Sequence, residues 1–220
     1  MVTTAEDNIV RLWDASGRST SLEFKVPDFI SSAEFSPDNR MIFVSAPGKD
    51  MTIWNATDGK LLNTLPVGEQ ITWSSFSADG KRFALGSYRG KVQLWNVESW
   101  EPIGPPIQHG LRISQVELSS DGEWMATGSE DHSAQVWEVA TGRPVSLPML
   151  HQGEVVRTVF RPDGRLVATG SEDGTARVWE ASTGHPMTPS LLHNAPVIRL
   201  AFSPNGRSLL TGQRNGSVCV

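Results

Sequence analysis

Short runs of alternating apolar and polar residues, separated by turn residues, fill the chain. The clearest example is Val155–Glu180, where a Pro-Asp-Gly turn and a Ser-Glu-Asp-Gly turn separate three such runs. A period of two is typical of β-strands with one buried face, and two tight turns joining three strands give an antiparallel meander. The pattern therefore predicts a three-stranded meander over Val155–Glu180. No stretch of useful length shows a helical period.

The same pattern returns along the chain with a fixed spacing of 41 or 42 residues. Two markers hold this register: a tryptophan that ends the third strand and, in each complete pair, a phenylalanine or leucine 19 residues before it. Two independent markers in one register indicate a true internal repeat. The tryptophans are Trp13, Trp54, Trp95, Trp137 and Trp179, and the earlier markers are Phe35, Phe76, Leu118, Phe160 and Phe202.

Each repeat is predicted to contain four strands. The first ends at the Phe/Leu marker, the second and third follow tight turns, and a fourth segment that contains or directly precedes a proline follows the tryptophan. Because proline has no backbone N–H to donate to a neighbouring strand, the fourth segment is predicted to lie at the edge of the sheet. The predicted fourth segments are Leu61–Leu65, Pro102–Ile107, Pro144–Leu150 and Pro186–Leu192.

Composition narrows the class of protein. The chain of 220 residues carries a formal net charge of −5 without a Lys/Arg cluster, so nucleic acid is not expected as a partner. Its one cysteine, Cys219, excludes an internal disulfide, and no metal-ligand spacing or cofactor motif is present. No signal peptide is evident, and no apolar run approaches the roughly 20 residues that span a bilayer. A cytoplasmic protein without a membrane partner is expected.

With four strands per repeat of about 41 residues and a tryptophan followed by an acidic or amide residue, the chain resembles the WD40 family. The resemblance covers nearly the whole chain, and the signature pairs are Trp13-Asp14, Trp54-Asn55, Trp95-Asn96, Trp137-Glu138 and Trp179-Glu180. It implies an all-β, WD40-type β-propeller, with antiparallel four-stranded blades around a central channel. About five to six blades are expected, in one domain that forms an incomplete or open ring. The expected boundaries are a partial blade at 1–25, blades at about 26–66, 67–108, 109–150 and 151–192, and a partial blade at 193–220.

The resemblance also implies a buried hydrogen-bonded set of His, Ser/Thr, Asp and Trp within a blade. An indole N–H can only donate, and a buried carboxylate must be hydrogen-bonded, so such groups satisfy one another. Matched by position, the residues of these sets are His109, Thr127, Asp131 and Trp137; His151, Thr169, Asp173 and Trp179; Thr3, Asp7 and Trp13; and His193 and Thr211.

These recurring groups look like a hydrolase triad, but no catalytic residue is predicted. A catalytic group occurs once in a protein, whereas this set recurs in blade after blade, and nothing indicates an exposed nucleophile with an oxyanion hole. The blades that end at Trp54 and Trp95 lack the set, with Val44 and Leu85 at the threonine position. Their tryptophans are therefore expected to find other partners or to reach solvent.

Two recurring positions are expected around the mouth of the channel. One lies three residues before the Phe/Leu marker, and the other lies in the turn before the aspartate position. Family resemblance implies that such positions contact partners, and Trp, Tyr and Arg are enriched at binding hot spots. Blade 67–108, whose polar set is wholly replaced, is expected to carry a specialised contact patch. The candidate partner-binding residues are Trp73, Tyr88, Arg89, Gln115, Arg157, Arg199, Glu130 and Glu172.

The sequence predicts a non-catalytic scaffold that binds protein or peptide partners near the channel mouth. An alternative from another class is a regulatory or sensor module of a larger signalling enzyme, such as a Ser/Thr kinase or a signalling ATPase. Seven blades at this period would need about 290 residues, so the chain is expected to be a fragment of a longer propeller protein. Its partners would then include the remaining blades of its parent chain, or further copies bound through open strand edges.

Overall fold

Antiparallel β-strands are the regular elements of the computed structural model, which describes residues 1–14, 16, 19–27 and 30–220. The all-β class is thereby confirmed, and these residues form six sheets of three or four strands, as expected for five to six blades. Residues 15, 17 and 18 of the predicted partial blade 1–25, and residues 28 and 29 of the next, lie outside the described part. Within that part no helix is long and apolar enough to cross a membrane.

The chain divides into two compact units, and the first comprises Met1–Ile71. It holds a three-stranded sheet, β1-β2-β3, and a four-stranded sheet, β4-β5-β6-β7, each in chain order. Its core includes Val10, Leu12 and Ile42, and the ring of Phe24 stacks on Trp54 with centroids 4.6 Å apart. The strands are β1 (Val2–Thr4), β2 (Ile9–Trp13), β3 (Ser19–Lys25), β4 (Ser32–Phe35), β5 (Met41–Ser45), β6 (Met51–Asn55) and β7 (Leu61–Leu65).

The second unit, Thr72–Val220, holds four sheets that follow one another along the chain. Three have four strands and the last has three, and the strands of each sheet lie side by side in chain order. The strands are β8 (Ile71–Phe76), β9 (Arg82–Ser87), β10 (Lys91–Asn96), β11 (Pro102–Gln108), β12 (Ile113–Leu118), β13 (Trp124–Ser129), β14 (Ser133–Glu138), β15 (Met149–Leu150), β16 (Val155–Phe160), β17 (Leu166–Ser171), β18 (Thr175–Glu180), β19 (Leu191–Leu192), β20 (Val197–Phe202), β21 (Leu209–Gln213) and β22 (Val218–Cys219).

The fourth strands of two blades are shorter than predicted. Of the predicted Pro144–Leu150 only Met149–Leu150 pairs as a strand, with an isolated bridge between Trp137 and Pro144. The hydroxyl of Ser146 accepts the N–H of Val136 at 2.9 Å, where a strand carbonyl would otherwise accept it. A side chain therefore replaces part of the backbone ladder, which a hydrophobicity pattern does not reveal.

Glycine in the second strand allows neighbouring blades of the second unit to approach closely. A Cβ atom built on Gly86 would lie 2.5 Å from Ile113 Cγ2 of the next blade, and one on Gly170 would lie 3.0 Å from Val197. A contact of 2.5 Å is too short for a real Cβ atom, so a side chain at Gly86 would push the blades apart, and one at Gly170 would require Val197 to shift by a few tenths of an ångström. The recurring glycine of β9, β13 and β17 thus belongs to the interface between blades.

Candidate functional site

The polar set of blade 151–192 forms a continuous chain of buried hydrogen bonds. Trp179 Nε1 donates to Thr169 Oγ1 at 2.7 Å, and Thr169 Oγ1 lies 2.7 Å from His151 Nε2. His151 Nδ1 lies 3.0 Å from Thr175 Oγ1 and 3.4 Å from Asp173 Oδ2. Tryptophan, threonine and histidine come from the third strand, the second strand and the loop before the first, so the chain ties three parts of the blade together.

The direction of this chain of hydrogen bonds, called the relay below, follows from which atoms can donate a proton. An indole N–H cannot accept, so the oxygen of Thr169 accepts from Trp179 and its single proton is free to be donated to His151 Nε2. The proton of the neutral imidazole then lies on Nδ1 and is donated to Thr175 Oγ1, whose own proton is donated to Asp173 Oδ1 at 2.7 Å. Burial lowers the pKa of His151, which keeps this ring neutral.

The preceding blade repeats the arrangement. Trp137 Nε1 donates to Thr127 Oγ1 at 2.8 Å, His109 Nε2 lies 2.7 Å from the same oxygen, and His109 Nδ1 lies 3.1 Å from Asp131 Oδ2. Burial acts to raise the pKa of Asp131, but hydrogen bonds from His109, Ser133 and the Gly110 amide hold it well below its usual range. These groups are committed to one another inside the blade.

The terminal sheets carry shorter versions. In the last, His193 Nε2 lies 2.8 Å from Thr211 Oγ1, and Nδ1 donates to the carbonyl of Leu191 at 2.8 Å in place of a carboxylate. In the first, Trp13 Nε1 donates to Thr3 Oγ1 at 2.6 Å. There Asp7 pairs with Arg11 at 2.6 Å, since the predicted set has no histidine at this end of the chain.

The two blades without the set treat their tryptophans differently. Trp54 Nε1 donates to Thr52 Oγ1, two residues away, at 2.9 Å. Trp95 is only 7% exposed, and its buried Nε1 has no hydrogen-bond partner among the described residues. The expectation that each would find a partner or reach solvent is therefore wrong for Trp95, because Leu85 offers no acceptor where other blades have threonine.

This contrast gives a prediction. Trp95→Phe removes an unsatisfied buried donor and should cost about 1 kcal/mol or less, whereas Trp137→Phe breaks the relay and should cost about 2–3 kcal/mol. Urea unfolding of the two variants beside the wild type measures the difference, and the lost ring area is the same in both. Equal losses would mean that the indole hydrogen bond contributes nothing.

Outside the relays, polar side chains of the first strands converge in the second unit. β12, β16 and β20 each contain a β-bulge in their pairing with the second strand, just before Gln115, Arg157 and Arg199. A bulge leaves one residue without a ladder partner and re-aims the side chains beside it. In β20 the extra residue is Ile198, whose carbonyl therefore faces groups outside its own ladder.

Arg157 and Arg199 both use that carbonyl. Arg157 Nε donates to the Ile198 oxygen at 3.0 Å and Arg199 Nη1 donates to it at 2.8 Å. The guanidinium carbon of Arg157 also lies 4.7 Å from the centroid of the Trp73 ring, a cation–π contact that reaches from β16 past β12 to β8. Burial and the charge of Arg199 lower the pKa of Arg157, against the attraction of Glu117.

Gln115 is buried rather than presented at a surface. It is 6% exposed, its Oε1 accepts the Thr158 amide at 2.9 Å, and its Nε2 donates to Glu117 Oε2 at 3.3 Å. Glu117 Oε1 accepts the Phe160 amide at 3.2 Å. The two side chains thus bind the backbone of the next blade, and burial raises the pKa of Glu117 to about 7.

Sequence reasoning missed Glu117. The available signal was a carboxylate on an inner strand, two residues after Gln115 and therefore on the same face. It could not reveal which backbone amide that carboxylate accepts.

The predicted turn residues lie at one end of the blades. Tyr88 and Arg89 occupy the turn between β9 and β10, where Tyr88 is 57% exposed. Because turns of a meander alternate between its ends, this is also the end from which the first strands start. Arg157 pairs with Gly170, one residue before the end of β17, and so lies near this end as well.

Two of the predicted turn residues are held in ion pairs. Glu130 Oε1 is 2.8 Å from Arg112 Nη1. Glu172 pairs with Arg214, which occupies the same turn position in the next blade. This ion pair therefore links the turn positions of two consecutive blades. Trp73 takes no part in it and contacts Arg157 instead.

Surface concavities of the second unit lie at the opposite end. One of about 470 Å³ is lined by Arg82, Trp124 and Glu138, among others, and Trp124 also lines a second one of about 340 Å³. Neither includes Arg157 or Arg199. In the described part of the chain, no three His, Cys, Asp or Glu residues are placed to hold a metal ion.

The repeats of this chain match those of known proteins. The family model described as "WD domain, G-beta repeat" matches residues 100–138, 144–180 and 188–220, so WD40 repeats are present at three positions. A WD repeat-containing protein 26 homolog of Drosophila melanogaster is 29% identical over 118 residues, covering 47% of this chain. Protein NEDD1 of Bos taurus is 32% identical over 98 residues, covering 42% of this chain. The chain spans only 19% and 15% of the lengths of these two relatives.

Among solved structures, the computationally designed Ika8 protein has the same fold. The TM-score is 0.82 with 21% sequence identity, over 99% of this chain and 66% of the designed one. At this identity the likeness concerns the fold alone.

Proposed function

We propose that this chain, which carries WD40 repeats, is a non-catalytic interaction scaffold that binds protein or peptide partners at the channel end of its blades. The observation that carries the proposal is a division between two kinds of polar side chain. The histidines, threonines and aspartates that could perform chemistry are hydrogen-bonded to one another and to tryptophan inside the blades. Arg157 and Arg199, by contrast, have no carboxylate partner among the described residues, and they lie on the first strands of neighbouring blades.

The binding surface has the composition of a hot spot. Trp73 and Arg157 form a stacked pair, and the exposed Tyr88 and Arg89 lie at the same end of the blades. Stacked aromatic and arginine side chains lose little conformational entropy when a partner covers them, because they are already held. The exposed free thiol of Cys219 suits the reducing conditions of the cytoplasm, where we place the interaction.

A pull-down with the protein as bait tests this proposal. Recovery of a specific partner should fall at least about tenfold with the Trp73→Ala, Arg157→Ala double variant, since truncating two central anchors removes most of the binding energy. The matched control is Arg165→Ala, Arg207→Ala, two exposed arginines after the turns at the opposite end. Equal recovery with both variants would place the binding surface elsewhere.

A further inference from the structure

The guanidinium groups of Arg157 and Arg199 are uncompensated. Neither forms an ion pair with a carboxylate among the described residues, although five other arginines do: Arg11, Arg40, Arg112, Arg161 and Arg214. Glu117, the carboxylate whose charge reaches Arg157, instead accepts hydrogen bonds from the Phe160 amide and Gln115. Two positive charges are therefore held together without a matching negative charge.

Both groups are also fixed in position. They share one acceptor, the carbonyl oxygen of Ile198, so Arg157 Nε and Arg199 Nη1 are no further apart than the sum of their two distances to it. The guanidinium of Arg157 also lies over the ring of Trp73. The bulge at Ile198 supplies the shared carbonyl, so backbone geometry enforces the approach of two like charges.

Several donors remain free in this arrangement. Both terminal nitrogens of Arg157 have no acceptor among the described residues, and neither do Nε and Nη2 of Arg199. Arg157 is half-buried, whereas Arg199 is exposed, so the unpaired N–H groups are open to an incoming acceptor. Anionic oxygens are the acceptors that guanidinium groups bind best, since charge-assisted, bidentate hydrogen bonds form in a fixed plane.

We propose that Arg157 and Arg199 form a binding site for an anionic side chain of the partner peptide, a carboxylate or a phosphorylated hydroxyl. The inference rests on the proposed function and specifies the partner's chemistry. The partner places its anionic oxygens between the two guanidinium groups, and Trp73 acts as a positioning residue by stacking on Arg157. Gln115 and Glu117 take no part in binding, since they hold the neighbouring blade.

Peptide libraries with randomised flanks and one fixed central residue test the site. The fixed residue is Glu, phosphoserine, Ser or Lys, and retention on immobilised peptides is measured for wild type and for Arg157→Gln, Arg199→Gln. Wild type should retain the Glu or the phosphoserine library at least tenfold better than the Ser and Lys libraries, and the double variant should lose this preference. The better retained of the two anionic libraries identifies the source as carboxylate or phosphate.

Three controls make the result decisive. Arg157→Lys keeps the charge but not the planar fork, so it should retain part of the preference. Arg165→Gln, Arg207→Gln makes the same change in charge at the opposite end of the blades and should leave the preference unchanged, and thermal melting monitored by circular dichroism verifies that each variant is folded. A wild type without anion preference, a preference that survives in Arg157→Gln, Arg199→Gln, or stronger retention of single-stranded RNA than of any peptide would overturn the inference.

The inference and the proposed function fail separately. A partner that is lost with Trp73→Ala, Arg157→Ala but shows no anionic requirement would leave the scaffold function standing and remove the anion site. A preference for anionic peptides with partner recovery unchanged by that variant would keep the anion site and place the partner-binding surface elsewhere.

Discussion

Thr169→Val should lower the free energy of unfolding by about 3 kcal/mol. Valine has the shape of threonine, so packing is kept while two hydrogen bonds are lost, from Trp179 Nε1 and to His151 Nε2. Thr169 is 0% exposed, and water cannot replace the lost oxygen. An unsatisfied buried donor costs about 1–3 kcal/mol, and here one donor and one acceptor are stranded together.

The same blade supplies a matched control. Thr158 is also 0% exposed, but its hydroxyl is buried without a hydrogen-bond partner among the described residues. Thr158→Val therefore removes an unsatisfied polar group and should leave stability unchanged or raise it by up to about 1 kcal/mol. Chemical unfolding of both variants measures the pair. Similar losses from both substitutions would show that the relay does not stabilise the blade.

Glu117→Gln should stabilise the protein at pH 8.5 by about 2–3 kcal/mol relative to its effect at pH 5. Burial raises the pKa of Glu117 to about 7 from an ordinary value of 4.5. Between pH 4.5 and about 7 the carboxyl group of Glu117 is protonated in the folded protein but ionised in the unfolded chain. The contribution of Glu117 to stability therefore declines over this range and is lost once the pH has risen through about 7. The difference in pKa corresponds to roughly 3 kcal/mol.

Glutamine removes that pH dependence because it cannot ionise. Its oxygen can still accept the Phe160 amide, but its NH2 group then faces Gln115 Nε2, a second donor, so that hydrogen bond is lost and a small loss of stability is expected at pH 5. Unfolding curves of wild type and variant at the two pH values give the comparison, and the titration of His151 and the aspartates cancels between them. Glu123→Gln, at an exposed carboxyl group, is the control. A variant whose stability parallels wild type at both pH values would contradict the burial of a carboxylate at this position.

The strands were predictable to the residue where alternation was strong. The strands β4, β8, β12, β16 and β20 end at the Phe/Leu markers, where the repeat predicts the end of the first strand. The predicted fourth strand Leu61–Leu65 is also observed, and Pro102–Ile107 is one residue short, but the fourth strands of the two following blades were not predictable. In one of them Ser146 accepts a backbone N–H in place of a strand carbonyl. Hydrophobic pattern reports which face of a strand is buried, but not which atom accepts its N–H groups.

The residues of the candidate site were also predictable only in part. Position within the repeat was enough to select Arg157, Arg199 and Trp73 as related residues. It also selected Gln115, which occupies the same repeat position yet is buried against the next blade. Whether a polar side chain at that position is free or committed depends on the bulge and on the neighbouring strand, and these vary between copies of one pattern.

By itself the sequence determined the repeat, the all-β class, most strand bounds and the residues placed to form polar sets, since each rests on local periodicity and spacing. Only the tertiary structure decided which side chains were satisfied. Trp95 has no acceptor for its indole N–H, Glu117 accepts the Phe160 amide of the next blade, and Arg157 lies over the ring of Trp73 two blades away. The physical reason is that the first strands of different blades converge, so partners come from repeats that local patterns treat as independent.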